Sequence, residues 1–306
     1  ILVDGRPAGA TNLAMLDLAS VERIEVLKGP ASALYGSSAM GGVVNVVTRR
    51  SGGDLAGRMS ASYGSFGSYR GAVTTGGSAG EGLDFDLALA STGRRSGFET
   101  GGARILGGDR ITKFFPDGTT ALLPEAVRDT VLDHSEFSSR SGSLRVGYEL
   151  GPAWRVEGRA EGFLGDDIEN PGDLNVTAYP TRTVNDLERS SGDLALSGRA
   201  GAHRLLLRGY ASREVTRYYD NADDPAYVSS RSPNHWLGAQ LQDAITLGRH
   251  GLTTGIDYTA HEAKSEVFSA PDTRTSPYNA DASIRSLAAF AEGRADLLGD
   301  GRLVAT

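Results

Sequence analysis

No cysteine occurs in the 306 residues, which excludes a disulfide framework and any zinc site built on thiolates. Lysine is almost missing. Lys28, Lys113 and Lys264 are the only three, so arginine supplies nearly all of the 31 positive charges. Arginine is favoured where a planar cation must pair with carboxylates in a confined space. The net charge is −7 and the isoelectric point about 5.3, a balance that argues against nucleic acid as a partner. No apolar run approaches the roughly 20 residues of a transmembrane helix. That excludes helical spans but not a membrane barrel, whose strands face lipid with only every second residue. G-x-S-x-G, H-E-x-x-H, P-loop and Rossmann patterns are also missing. The Gly-rich run at 76–82 is followed by no helix and reads as a turn. The five histidines, at 134, 203, 235, 250 and 261, share no metal-ligand spacing and read as surface or lumen residues. No metal and no cofactor are expected. Acidic segments at 166–173 and 220–224 offer hard oxygens for calcium, but they match no EF-hand register and read more simply as solvated loops.

Residues 21–50, VERIEVLKGPASALYGSSAMGGVVNVVTRR, are the most informative stretch. Val21, Ile24, Val26 and Leu27 form a short run rich in β-branched residues, as in a strand. Gly29-Pro30 stops it. Pro30 suits the first position of a helix, where a missing N–H costs nothing. Residues 31–35 read as a helical turn or two, and Gly36 suits the C-terminal cap. Gly41-Gly42 breaks the chain again before a second, buried-type strand at 43–48. Upstream, Ile1-Leu2-Val3 with Asp4-Gly5 is a strand ending in a turn.

From Leu55 onward the pattern has period two. Met59, Ala61 and Tyr63 alternate with Arg58, Ser60 and Ser62. Leu83, Phe85, Leu87 and Leu89 alternate with Asp84, Asp86, Ala88 and Ala90. Trp154, Val156, Gly158 and Ala160 alternate with Arg155, Glu157, Arg159 and Glu161. Later strands are placed at approximately 191–200, 203–213, 235–247, 252–261 and 284–298, each near the ~9–11 residues that cross a bilayer at a tilt. The connections alternate in length. Those at 92–139, 166–190, 214–234 and 262–283 are long, and those at 151–153, 200–202, 248–251 and 299–301 are short. Membrane barrels have short periplasmic turns and longer external loops, whereas long structureless loops count against a compact soluble domain. Tyr63, Tyr69, Tyr148, Trp154 and Tyr258 share the outward parity and fall near strand ends, as in aromatic girdles. The opposite parity carries both charge signs, suited to pairing across a lumen. Asp243 breaks the pattern, and a bulge beside it would restore it.

These residues resemble the plug domain and barrel of TonB-dependent outer-membrane receptors. The resemblance rests on Asp4-Gly5, on Glu22-Arg23 within VERIEV, on Lys28-Gly29-Pro30, on Tyr35-Gly36, and on Gly41-Gly42-Val43-Val44-Asn45-Val46-Val47-Thr48. It implies a mainly β fold: a transmembrane antiparallel β-barrel preceded by a small α/β plug domain. Residues 1–50 would be the C-terminal part of the plug and 51–306 the N-terminal half of the barrel. About ten strands and the start of an eleventh would be present, out of about 22 in the full barrel. The chain begins and ends inside strands without a signal peptide and is expected to be a fragment. The resemblance also implies location in the bacterial outer membrane, contact with its lipid, and no enzymatic activity. Its function would be active uptake of a scarce nutrient such as a ferric siderophore (iron) or cobalamin. The ligand would bind to external loops and plug apex, and the TonB complex would engage a segment upstream of Ile1. Gly29, Gly36, Gly41 and Gly42 are expected to fix the packing of the plug and not to touch ligand. Arg217-Tyr218-Tyr219 and Trp236, at loop bases, either contact the ligand or anchor the loops at the interface. A non-transporting receptor or adhesin of the same architecture is the alternative, and a secreted soluble β-rich binding protein a more distant one.

Overall fold

The structure is a computed structural model that describes residues 1–9, 15, 19–29, 42–99, 112–114, 120–122, 131–132, 135–170, 183–219, 227–277, 280–296 and 304–305. Its first element is a small sheet. β1 (Leu2–Val3) and β2 (Arg6–Pro7) form a hairpin turning at Asp4-Gly5. β3 (Val21–Lys28) and β4 (Gly42–Thr48) complete the order β2-β1-β4-β3, with β1 parallel to β4 and β3 antiparallel to it. Val3, Ala8 and Val46 make a minimal core, with Val21 against it. β3 is an edge strand whose Ile24 and Val26 remain more than half exposed. Gly42 is required where it stands. Its φ is +136°, and a Cβ there would lie 2.5 Å from the Leu27 carbonyl oxygen. The helical turn expected at 31–35, with Pro30, Tyr35, Gly36 and Gly41, lies outside the described residues.

A large antiparallel sheet follows. β5 (Ala56–Gly64), β6 (Ser68–Ser78) and β7 (Leu83–Arg94) meander into it. Four short strands, β8 (Phe98–Glu99), β9 (Thr112–Phe114), β10 (Thr120–Leu122) and β11 (Val131–Leu132), form two small ladders in the connection that comes next. The sheet resumes with β12 (Phe137–Glu149), β13 (Trp154–Asn170), β14 (Thr183–Ala200), β15 (His203–Tyr219), β16 (Ser230–Leu247) and β17 (His250–Ala263), each paired with its predecessor. The hairpin β18 (Glu266–Ala270) and β19 (Thr273–Thr275) extends the next connection. β20 (Ala282–Asp296) and β21 (Val304–Ala305) end the sheet.

Strand register defines two faces. On the outer face, Leu196, Leu207, Leu241, Ile256 and Ala289 stand in one row across five strands. The row toward the long connections holds Leu194, Gly209, Ala239, Tyr258 and Leu287. Leu194, Leu207, Leu241, Ile256 and Leu287 are all 48% exposed or more, as are Met59 and Tyr63 on β5. So many large exposed side chains of one parity would be an aggregation hazard in water. They are the expected outer surface of a sheet bathed in lipid.

Three of the inferred strands are longer than the sequence pattern suggests. β14, β15 and β16 run at 183–200, 203–219 and 230–247, well past the expected 191–200, 203–213 and 235–247. The ladder continues after apolar alternation has stopped, because polar pairs take over the outer face. Glu188 bonds both Arg213 and Arg217 at 2.9 Å, and the Tyr219 hydroxyl donates to Asp186 at 3.0 Å. These ends project beyond the lipid-facing rows. The bulge sought near Asp243 does not form, since the register of β16 against both neighbours is continuous there. Asp243 instead meets His203 Nδ1 at 2.7 Å on the outer face, near the short-turn ends of the strands. A register shift does occur in β13, between Gly165 and Ile168.

Candidate functional site

The inner face of the large sheet carries a wall of mixed charge, and the small sheet sits against it. Toward the short-turn ends the wall pairs with itself. Arg145 reaches Asp84 at 2.6 Å, Asp86 at 2.5 Å and Glu157 at 3.2 Å, and Arg155 bridges Asp84 and Glu149, both at 2.7 Å. These pairs span β7, β12 and β13, so they lace neighbouring strands together. Arg50, just after β4, joins the network through Glu157 at 3.1 Å.

Higher on the wall the partners belong to the small sheet. Arg159 meets the Asp4 carboxylate at 2.5 Å and also donates to the Thr48 hydroxyl. Arg208 Nη1 donates to the Asp4 carbonyl at 2.9 Å, Arg189 Nη2 to the Ala8 carbonyl at 2.7 Å, and Ser212 Oγ to the Gly9 carbonyl at 2.8 Å. Arg6, only 1% exposed, returns the contact by bonding Asp193 at 2.9 Å and lying 5.9 Å from the centroid of the Tyr210 ring. The neighbouring strands β13, β14 and β15 therefore all hold this one segment on the inner face of the sheet. The seam beside Thr48, Arg49 and Arg159 encloses only about 20 Å³, room for about one water molecule.

Asp4 is the hub. Its carboxylate accepts from the Thr48 backbone N–H at 3.0 Å and the Thr48 hydroxyl at 2.7 Å. Burial alone would raise its pKa, but the Arg159 guanidinium and the Thr48 donors outweigh that, holding the group below its ordinary 3.8. Asn45 ties the other end of the turn. Its side-chain oxygen accepts from Gly5 N–H at 3.0 Å while its amide donates to Glu25 at 3.0 Å. Glu25 is lowered in turn, first by the Asn45 bond and then by Arg23, which also pairs with Glu22 at 3.2 Å. Of the residues singled out from sequence, Asp4, Gly5, Glu22, Arg23, Gly42 and Asn45 thus belong to one small bonded unit. Gly29 has φ +100° at the end of β3.

The four ligand-contact candidates separate. Tyr218 and Trp236 have inward parity, and Trp236 stacks flat on His261 with centroids 4.4 Å apart. Arg217 and Tyr219 have outward parity and are engaged with Glu188 and Asp186. Among the described residues no group of three metal-ligating side chains forms. The residues that sequence reading missed are Arg6 and Arg189, and Thr48 was read as part of the motif without its bonds to Asp4 and Arg159. Arg159 was legible as inward-facing, but nothing in its spacing marks which partner it holds.

Residues 1–43 match the family described as TonB-dependent Receptor Plug Domain. The chain is 50% identical over 54 residues to the metal-pseudopaline receptor CntO of Pseudomonas aeruginosa, a match covering 18% of this chain and 8% of that protein. It is 35% identical over 85 residues to the vitamin B12 transporter BtuB of Photobacterium profundum, covering 28% and 14%. Among solved structures, the ferric enterobactin receptor PfeA of Pseudomonas aeruginosa superposes with a TM-score of 0.72 at 18% identity, over 97% of this chain and 47% of that one. The siderophore receptor PirA of the same organism gives 0.65 at 19%, over 97% and 45%. The chain therefore spans about half the length of the solved receptors it matches.

Proposed function

We propose that this chain, which carries plug and barrel strands of a TonB-dependent outer-membrane receptor, takes part in active uptake of a scarce nutrient across the bacterial outer membrane. Residues 1–50 act as the C-terminal part of the plug and 51–306 as barrel wall. The observation that carries this reading is the grip of β13–β15 on the β1–β2 hairpin through Asp4, Arg6, Ala8 and Gly9. A plug so held closes the lumen to diffusion, and its bonds to the wall are ionic or run to single carbonyls and the Thr48 hydroxyl. Such contacts can be exchanged for water one at a time, unlike an apolar interface, so an external pull can loosen them in sequence. Arg6 Nη2, Arg189 Nε and Arg208 Nε are buried without a protein acceptor among the described residues, so the interface is not saturated and costs less to part.

The ligand class is a metal chelate or a comparable small nutrient, as for the named relatives, captured by external loops and plug apex. Tyr218 and the Trp236–His261 stack, which have inward parity near the long connections, are the wall residues we assign to meet it. The partner that supplies energy is the TonB complex. No catalytic step is required. The test is uptake by cells expressing the full-length gene in a receptor-deficient strain, with ferric siderophores and cobalamin as probes. Accumulation that stops when TonB is deleted or the proton gradient is collapsed supports the reading. Accumulation indifferent to both refutes it.

A further inference from the structure

The wall assigned to the ligand carries a charge pattern that narrows what it can hold, given the uptake reading. On the inner face, Ser191, Ser212, Trp236, His261 and Ile284 stand in one cross-strand row, beside Gly9 of the plug. Rows further toward the long connections pair Thr216 with Ser232 and Tyr218 with Ser230. None of these residues carries a fixed charge. The row between them holds Arg189 opposite Glu214. Both are buried, at 2% and 0% exposed. Arg189 is held by the Ala8 carbonyl and by Glu161 at 3.5 Å, so neither offers charge to the lumen. Among the described residues, one exposed cation on the inner face above the hairpin has no acceptor, Arg70 on β6. It stands six inter-strand steps from Trp236, or about 29 Å along the wall at ~4.8 Å each. The long connections lean the same way by sequence. Segments 95–136, 171–182, 220–229 and 264–281 together hold fourteen Asp and Glu against eight Arg and Lys.

We infer that the ligand is a metal chelate of zero or positive net charge that lays an apolar or ring face on Trp236 and Tyr218, and not a polyanionic chelate. Charge decides the sign. A ferric tris-catecholate keeps net negative charge on its oxygens, and holding it takes cations set directly against them. This wall has none beside the aromatic stack, and the acidic excess of the long connections slows the approach of an anion. A ferric tris-hydroxamate, or cobalamin, balances the metal charge within the complex and needs no counter-cation from the wall. Shape decides the contact. The Trp236 and His261 rings lie 5° from parallel, a pre-formed flat surface that accepts apolar ring faces and cations alike. The hydroxyls of Thr216, Ser230 and Ser232 supply hydrogen bonds to amide or hydroxamate oxygens without adding charge.

The test is isothermal titration of the purified full-length receptor with three probes: a ferric tris-catecholate, a neutral ferric tris-hydroxamate and cyanocobalamin. At least one of the two uncharged probes should bind at least about tenfold tighter than the tris-catecholate. Added salt should leave the uncharged probes unaffected and speed association of the tris-catecholate, because screening weakens its repulsion. Ser232→Arg puts an exposed cation two rows from the stack. It should shift the affinity ratio toward the tris-catecholate by about fivefold, with heat-modifiable migration showing that the variant has folded. Equal or tighter binding of the tris-catecholate by the parent, association that slows as salt is added, or an unshifted ratio in Ser232→Arg overturns the proposal. Binding is read without TonB, so such a result leaves the uptake reading standing, and TonB-independent accumulation would sink that reading without touching this one.

Discussion

Replacing Asp4 with Ala should release the plug from its wall more than any other single change in the hairpin. Arg159 would keep its buried position, 5% exposed, and lose a carboxylate that is itself only 11% exposed. Removing one partner of a buried pair costs about 3–5 kcal/mol when the remaining charge is left uncompensated, and here Glu161, 3.7 Å from Arg159, offsets part of that loss. The two Thr48 donors lose their acceptor at the same time. These losses overlap, so the total stays near 4 kcal/mol, or roughly a thousandfold in the equilibrium between seated and unseated plug. Hydrogen exchange of the β4 amides in the full-length receptor reads this directly, since β4 pairs with both β1 and β3. Exchange should accelerate by that order in Asp4→Ala and by a similar factor in Arg159→Ala. The double variant should be milder than the sum, as neither charge is then orphaned. The pH dependence has a fixed sign. Asp4 is depressed in the folded state, so its contribution is fully present above the unfolded pKa near 3.8 and disappears as pH falls through the lower folded value. β4 exchange within twofold of the parent in Asp4→Ala would refute the assignment of Asp4 as hub.

Other expectations follow from the same geometry. Leu207→Arg or Leu241→Arg should destabilise the inserted barrel by about 2–4 kcal/mol if these rows lie near the bilayer midplane, read by urea unfolding in lipid vesicles; Thr216→Arg, above the lipid rows on the inner face, should cost far less. Gly42→Val should distort the β3–β4 hairpin, because its Cβ would meet the Leu27 carbonyl at 2.5 Å; protease sensitivity of the plug should rise while ligand affinity at the surface persists. Trp236→Ala should weaken ligand binding in a fluorescence titration, and Arg217→Ala, whose side chain is held on the outer face by Glu188, should leave it unchanged.

The membrane-crossing part of the fold was legible because lipid imposes a period of two on it. Rows such as Leu196–Leu207–Leu241–Ile256 and short turns at 201–202 and 248–249 leave little freedom in how the strands pair. Legibility fails where lipid stops. Glu188, Arg213 and Arg217 continue the ladder without apolar alternation, so residues 183–190, 214–219 and 230–234 read as loop when they are strand. Asp243 reads as an exception needing a bulge, because its partner His203 is 40 residues away in sequence. The plug–wall contacts were hidden for the same reason. Arg189 reaches Ala8 across 181 residues, and a carbonyl acceptor leaves no trace in residue type. Asp4 and Asn45 were recognisable as motif residues, but only the structure shows that they tie the turn, β3, β4 and the wall into one unit.

The central claim, a plug seated on the β13–β15 wall that must shift for transport, is tested most directly by locking the seam. A Cβ at Gly9 would lie 3.3 Å from Ser212 Cβ, close to the ~3.5–4.5 Å of a disulfide, and the chain has no other cysteine. Gly9→Cys/Ser212→Cys, placed in the full-length receptor, should cross-link on oxidation, bind ligand normally and fail to transport it. Reduction should restore uptake. Equal uptake by the oxidised and reduced forms, with the cross-link verified by mass spectrometry, would contradict the account.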